Sequence, residues 1–220
     1  MSQSAPAIIP LRDRAYASFT KKLLSRDIVP GQIISQRELV ELTGQPLSGI
    51  REMIPRLEAD GLIKTVPKKG IQITSIDLEL VRNAFQLREV LEREAFASFC
   101  DTASDNEIAR IRDEHLEIQA AARENVTEAL LKRAQHMDWA LHDRVIDALG
   151  NDLISNIYRV NSIKIRLVRN ADTKMLPELV VPVLEEHLAI ISALEARDAP
   201  ACVHALETHL RSAKHRALGV

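Results

Sequence analysis

The sequence predicts a mainly α protein in two parts: three helices closed by a small β-hairpin, then an antiparallel all-α helical bundle. Three observations carry that reading. Apolar residues make up 46% of the 220, yet aromatics only 3%. The core is therefore filled by Leu, Ile, Val and Ala, the palette of packed helices. Paired β-branched runs occur only around residues 62–74, and from Asp77 on no strand pattern appears. The helical segments there are joined by short connections, which makes chain neighbours antiparallel.

In order along the chain, residues 1–10 carry Ser, Gln and two prolines and read as a disordered arm. Leu11, Ala15, Phe19 and Leu23 fall at helical spacing up to Arg26, and Val29-Pro30-Gly31 turns the chain. Ser35-Gln36-Arg37-Glu38 is a capping box that opens a short helix ended by Gly44. A further helix spans 46–59 and stops at Gly61. Residues 62–66 and 71–74 then flank Pro67-Lys68-Lys69-Gly70 as a hairpin. Six helices follow, over 77–100, 104–123, 126–149, 151–170, 178–197 and 199–217. Asp77, Ser104, Thr127 and Asp198 are their expected caps, and Gly150-Asn151, Pro177 and Asp198-Ala199-Pro200 the breaks. Two domains result, 11–75 and 77–217.

Composition narrows the function. No apolar run approaches the ~18 residues that span a bilayer, and the first ten residues lack the basic and apolar regions of a signal peptide. Cys100 and Cys202 form no Cys-x-x-Cys pair and no disulfide framework, so the cytoplasm is the expected compartment. Residues 1–75 hold 11 Lys and Arg against 7 Asp and Glu, and the rest hold 18 against 24. A basic front precedes an acidic back, and all seven histidines lie in the back, from His115 on.

Three helices followed by a basic hairpin make a winged helix-turn-helix. The second helix of such a pair enters the major groove by its N-terminal end, where base edges are read, and the wing offers cations to phosphates. The inserting end is Pro46-Leu47-Ser48-Gly49-Ile50-Arg51. Ser48 and Arg51 are the expected base or phosphate contacts, with Gly49 between them, and Arg37 is placed for the backbone. Lys68, Lys69 and Gly70 form the wing tip, where glycine would let the main chain come close. Glu38, Glu52 and Glu58 are expected to cap or pair within the domain, since phosphate repels them.

Pro30-Gly31, Arg37-Glu38-Leu39, Arg51-Glu52, residues 56–63 and Lys69-Gly70 occur in an order and spacing that resemble the GntR family of bacterial regulators. Where that family opens its recognition helix with Ser-Arg, this chain has Pro46 and Leu47. Pro55 also falls inside the helix, where proline removes a hydrogen bond.

In the back domain Asp138 and His142 lie four apart, on one helix face. His187 stands 11 residues before the turn at Asp198 and His209 stands 11 after it, so a hairpin puts both at one level. One carboxylate and three imidazoles suit a divalent metal ion, zinc first, with nickel, cobalt or manganese as alternatives. A polar cluster without metal is the competing reading. Asp138-x-x-x-His142 with Leu149-Gly150-Asn151, Glu186-His187 and His209-Leu210 resembles the metal-binding helical (FCD) domain of the FadR branch of the same family. Arg88 and Glu92 resemble its opening pattern, and the six-helix count is similar to the VanR subgroup. His115, His136, His204 and His215 match nothing and read as surface or packing residues. Trp139 and Tyr158 either line a pocket or pack the core.

The resemblance implies a homodimeric DNA-binding transcriptional regulator that binds double-stranded operator DNA and a small organic acid effector, with repression relieved by the effector. Arg88 is the candidate for gripping a carboxylate or phosphate end, the alternative being an ion pair with Glu92. Three other readings stay open. The ion itself could be the signal, the back domain could be a scaffold, or the site could serve a metal-dependent hydrolase. Against the last, no general base sits at a motif spacing and no nucleophile elbow or phosphate loop is present.

Overall fold

The computed structural model describes residues 9–172 and 176–218. Of the expected disordered arm only Ile9 and Pro10 fall among them; the remainder lies outside the described residues. The chain divides into two compact units, one ending at Asp77 and one beginning at Leu78.

The first unit runs α1 (Leu11–Leu24), β1 (Ile33–Ile34), α2 (Gln36–Thr43), α3 (Leu47–Ala59), β2 (Ile63–Val66) and β3 (Gly70–Ile73). Ala15, Phe19 and Leu23 form the buried stripe of α1, and Ile50, Met53 and Leu57 that of α3. The capping box forms in full. The Ser35 hydroxyl accepts from the Glu38 amide, and the Glu38 carboxylate accepts from the Ser35 amide at 2.8 Å. Gly44 ends α2 in the left-handed conformation at φ +65°. Helix α3 continues through Pro55, whose ring lies on the exposed face. There the carbonyl freed one turn back can meet water.

The sheet has three antiparallel strands in the order β1-β3-β2, with Gln72 opposite both Ile33 and Lys64. The hairpin was legible in the sequence. Strand β1 was not, because two residues carry no alternation; it exists only because β3 offers an edge.

The second unit holds six α-helices among the described residues: α4 (Leu78–Thr102), α5 (Asp105–Glu124), α6 (Glu128–Asp147), α7 (Asp152–Asp172), α8 (Val180–Glu195) and α9 (Ala199–Leu218). A single 3-10 turn, Pro177–Leu179, leads into α8. Ser104 and Thr127 cap α5 and α6 through their hydroxyls. The Asn151 side chain caps α7 after Gly150 at φ +62°, and the Asp198 carboxylate caps α9. Helix α4 packs against α7 and α9, α5 against α8, and α8 against α9. Phe96, Phe99, Val145, Ile190, Leu194 and Leu206 are the centre of the apolar core.

Candidate metal centre and nucleic-acid face

The predicted ligands converge. Asp138 and His142 come from one face of α6, His187 from α8 and His209 from α9, and none is more than 2% exposed. One ligand atom from each lies within 4.8 Å of all the others. The His187 and His209 ring centres are 4.6 Å apart, and those of His142 and His209 5.3 Å.

What surrounds these rings decides their chemistry. The Nδ1 of His142 lies 2.9 Å from a Glu92 carboxylate oxygen. The Nδ1 of His209 lies 2.8 Å from Glu186. The Nδ1 of His187 lies 3.2 Å from Nε2 of His115, whose own Nδ1 donates to the Ile111 carbonyl at 2.7 Å. The network thus assigns the tautomers. His115 must accept at Nε2, so His187 donates from Nδ1. His187 and His209 are held through Nδ1 hydrogen bonds and His142 through its 2.9 Å Nδ1 contact with Glu92, so each keeps an Nε2 lone pair, the arrangement that orients imidazoles for a metal.

Those three Nε2 atoms are buried and make no hydrogen bond. The lone pair of His187 faces Asp138 Oδ1 at 3.3 Å. Two electron-pair donors in a dry core repel each other unless a proton or a cation lies between them. Burial opposes the proton. It pushes His209 and His115 down to about 4 and displaces His142 and His187 in the same direction. The donor set therefore fits a divalent cation with nitrogen and oxygen ligands.

The supporting carboxylates are themselves held. Burial alone would raise Glu92, but Arg88 at 2.7 Å and the His142 N–H keep it below the usual carboxylate range. Tyr158 donates to the same Glu92 oxygen as Arg88. Glu186 accepts both ends of the Arg216 guanidinium at 3.0 Å and falls to about 2 despite its burial.

Arg88 is thus the ion-pair partner of Glu92, and it also lines a narrow cleft beside His142 with Trp139, Tyr158 and Arg166. The cleft has about 10 Å³ of space, room for roughly one water. Arg166 stacks 4.4 Å over Trp139 and pairs with Asp143 at 2.9 Å on its wall. Glu92, Glu186 and His115 were not among the expected site residues. Glu92 sits one turn after Arg88 and Glu186 directly precedes His187, so both had a local signal; His115, from α5, had none.

In the first unit Arg37, Ser48, Arg51, Lys68 and Lys69 are exposed. Arg51 donates to the Gln36 amide oxygen at 3.2 Å, linking the start of α2 to α3. Two assignments need correction. Gly49 is buried against α1, where an added Cβ would lie 3.3 Å from the Leu11 carbonyl, so it is a helix-packing glycine and not a DNA contact. Gly70 has φ +118°, and a Cβ there would lie 2.8 Å from the Ile34 carbonyl. Its bareness is what admits β1 to the sheet. Arg56, though exposed, is engaged within the unit, lying 4.1 Å over the Tyr16 ring and 3.0 Å from Asp13.

Comparison with known proteins accounts for both units. Residues 11–73 match the gntR family of bacterial regulatory proteins, and residues 83–212 match the FCD domain. The chain belongs to the GntR family of regulators with an FCD domain. It is 27% identical over 184 residues to the Nta operon transcriptional regulator of Aminobacter aminovorans, covering 83% of this chain and 82% of the relative. Its fold is that of E. coli McbR/YncC, with a TM-score of 0.73 at 14% identity over 93% of this chain and 95% of that one. The metal-free FCD domain of the regulator TM0439 matches 66% of this chain and 96% of its own length, with a TM-score of 0.55 at 22% identity. A GntR-type helix-turn-helix implies DNA binding, and the relatives are transcriptional regulators, which sets aside the hydrolase alternative. Among the described residues no helix of this GntR regulator is long and apolar enough to cross a membrane.

Proposed function

We propose that this regulator holds a divalent metal ion on Asp138, His142, His187 and His209 and responds to a small carboxylate that reaches the ion. The observation that carries the reading is the set of three buried imidazole Nε2 atoms without hydrogen bonds, grouped with a carboxylate within 4.8 Å. A bound cation would supply the positive charge that a carboxylate effector needs in a dry core. Glu92, Glu186 and His115 hold the imidazoles in the tautomer that ligates. The cleft at Arg88 and Arg166 is the approach beside His142, and at its present size an effector must open it. That opening is the differential contact by which an effector can bias the regulator.

Arg37, Ser48 and Arg51 are proposed to meet operator DNA, with Lys68 and Lys69 on the wing reaching phosphates. Two copies would read two half-sites. A self-association face is offered by α4 and α7, where Val90, Leu153 and Ile157 are 62%, 75% and 52% exposed beside Leu87. Apolar side chains grouped this way on adjacent helices suit a second copy of the chain. Repression relieved by the effector remains the expected sign.

Metal analysis of the purified protein tests the centre. About one ion per chain is expected, lost in His187→Ala and in His209→Ala, with circular dichroism confirming that the helices persist. Metal retained in both variants defeats the assignment. Adding a chelator during operator titrations then separates a structural ion, which leaves DNA affinity unchanged over physiological free metal, from one that is itself the signal.

A further inference from the structure

A second cavity lies on the other side of the histidine cluster, between α5 and α6, with a volume of about 330 Å³. That is the lower end of the range for small-molecule sites and far larger than the cleft beside His142. Its floor is apolar, built by Ile111, Ile118, Met137, Ala140 and Leu141. Its rim carries the guanidinium groups of Arg133 and Arg144, with the His136 ring, against the single carboxylate of Glu114.

The two arginines differ. Arg133 is committed to Glu117, with both of its forks at 2.9 Å. Arg144 is half-buried and has no ion pair among the described residues, and its Nη1 is buried without any hydrogen-bond partner. Since Arg144 lines the cavity and Arg133 is taken by Glu117, Arg144 is the guanidinium on the rim without a carboxylate partner among the described residues. His115 joins the cavity to the histidine centre: it lines the wall, and its Nε2 lies 3.2 Å from His187.

We propose that this cavity is a second ligand site for a small monocarboxylate with an apolar body, held by Arg144 over the apolar floor, and that His115 links its occupancy to the metal centre. A guanidinium is suited to a carboxylate, and the floor to an aliphatic chain or a phenyl ring. A ligand pressed against His115 bears on the ring that holds His187 in place, so ligand and metal affect each other's affinity by one reciprocal factor. The linkage rests on the metal reading above; the binding site does not.

The test uses the full chain, chelator-stripped and zinc-loaded, titrated calorimetrically with hexanoate and with benzoate. Binding to the stripped protein is expected, weakened about tenfold or more by Arg144→Gln, which removes a charged hydrogen bond. Ala140→Phe, which fills the floor and keeps the charge, should weaken it similarly. Binding that requires zinc and ignores Arg144→Gln would put the carboxylate on the metal and overturn the second site while leaving the metal reading intact. No binding of either probe at millimolar concentration overturns it as well. For the linkage, zinc affinity is measured by chelator competition with and without hexanoate. A several-fold shift that disappears in His115→Phe is expected; no shift, or one that survives in His115→Phe, overturns that part.

Discussion

The two units bury different things. Among the described residues of the winged-helix unit the only buried polar side chain is Thr43, and it bonds the Leu39 carbonyl one turn back on its own helix. In the helical unit Arg88, Glu92, His115, Asp138, His142, His187 and His209 are all buried, in one connected cluster. An apolar core is stable in itself, whereas buried charge is tolerated only when paired or when it serves a ligand. The winged-helix unit carries its proposed DNA contacts on the surface. The FCD unit has its proposed metal ligands inside, and between about pH 6.5 and 4 its stability should depend on pH more than the other unit's. Trp139 is the single tryptophan, so its fluorescence follows the helical unit alone.

That contrast can be broken or sharpened by experiment. Arg88→Ala leaves the Glu92 carboxylate buried without its partner and should destabilise the helical unit by about 3–5 kcal/mol in urea titrations read at Trp139. Thr43→Val in the winged helix should cost about 1 kcal/mol. Equal losses would remove the distinction between the cores.

If the metal reading holds, stripping zinc from protein kept at a hundred- to thousand-fold excess over Kd should lower stability by about 3–4 kcal/mol at Trp139. Circular dichroism changes attributable to the winged helix should not move.

pH supplies the next contrast. The buried imidazoles have depressed folded-state values, so the unfolded chain takes up protons first as pH falls. The stability they contribute is present above about 6.5 and is lost progressively on descending to about 4. For His115 alone, a displacement from 6.5 to about 4 corresponds to about 3 kcal/mol. In metal-free protein the melting transition seen by Trp139 should fall through that window. The winged-helix unit, which has no histidine, should hold its own; a parallel fall in both would contradict the reading.

A smaller effect lies at Gly70→Ala. The added Cβ at 2.8 Å from Ile34 and the positive φ should destabilise the winged helix by about 1–3 kcal/mol and weaken DNA binding through β1, with metal content unchanged. Lys68→Ala or Lys69→Ala should do least. Where the residue meets a phosphate, the salt dependence of operator binding should fall by about 0.9 in log–log slope, with the preference between operator sequences retained.

Much of this was legible in the sequence because it rests on local periodicity. Helix boundaries followed caps at Ser35, Ser104 and Thr127 and breaks at Gly44 and Gly150. The convergence of Asp138, His142, His187 and His209 followed from the four-residue step between the first two and the symmetric placing of the last two about a turn. The packing roles of Gly49 and Gly70 were missed because glycine has no side chain to betray its neighbour: the same residue admits a helix, a strand or a ligand.

The sequence by itself determined the helices, the hairpin and their order, since each depends on contacts within one turn or one hairpin, and its motifs carried the resemblance to the family. Only the tertiary structure decided which way those residues face and what holds them. Glu92 on His142, Glu186 on His209 and His115 on His187 are pairs between helices, with partners 23 to 72 residues apart in the chain for the latter two. No periodicity links such pairs. They form because the packing of α4 against α6, of α5 against α8 and of α8 against α9 leaves the Nδ1 of each of these three histidines within reach of one acceptor.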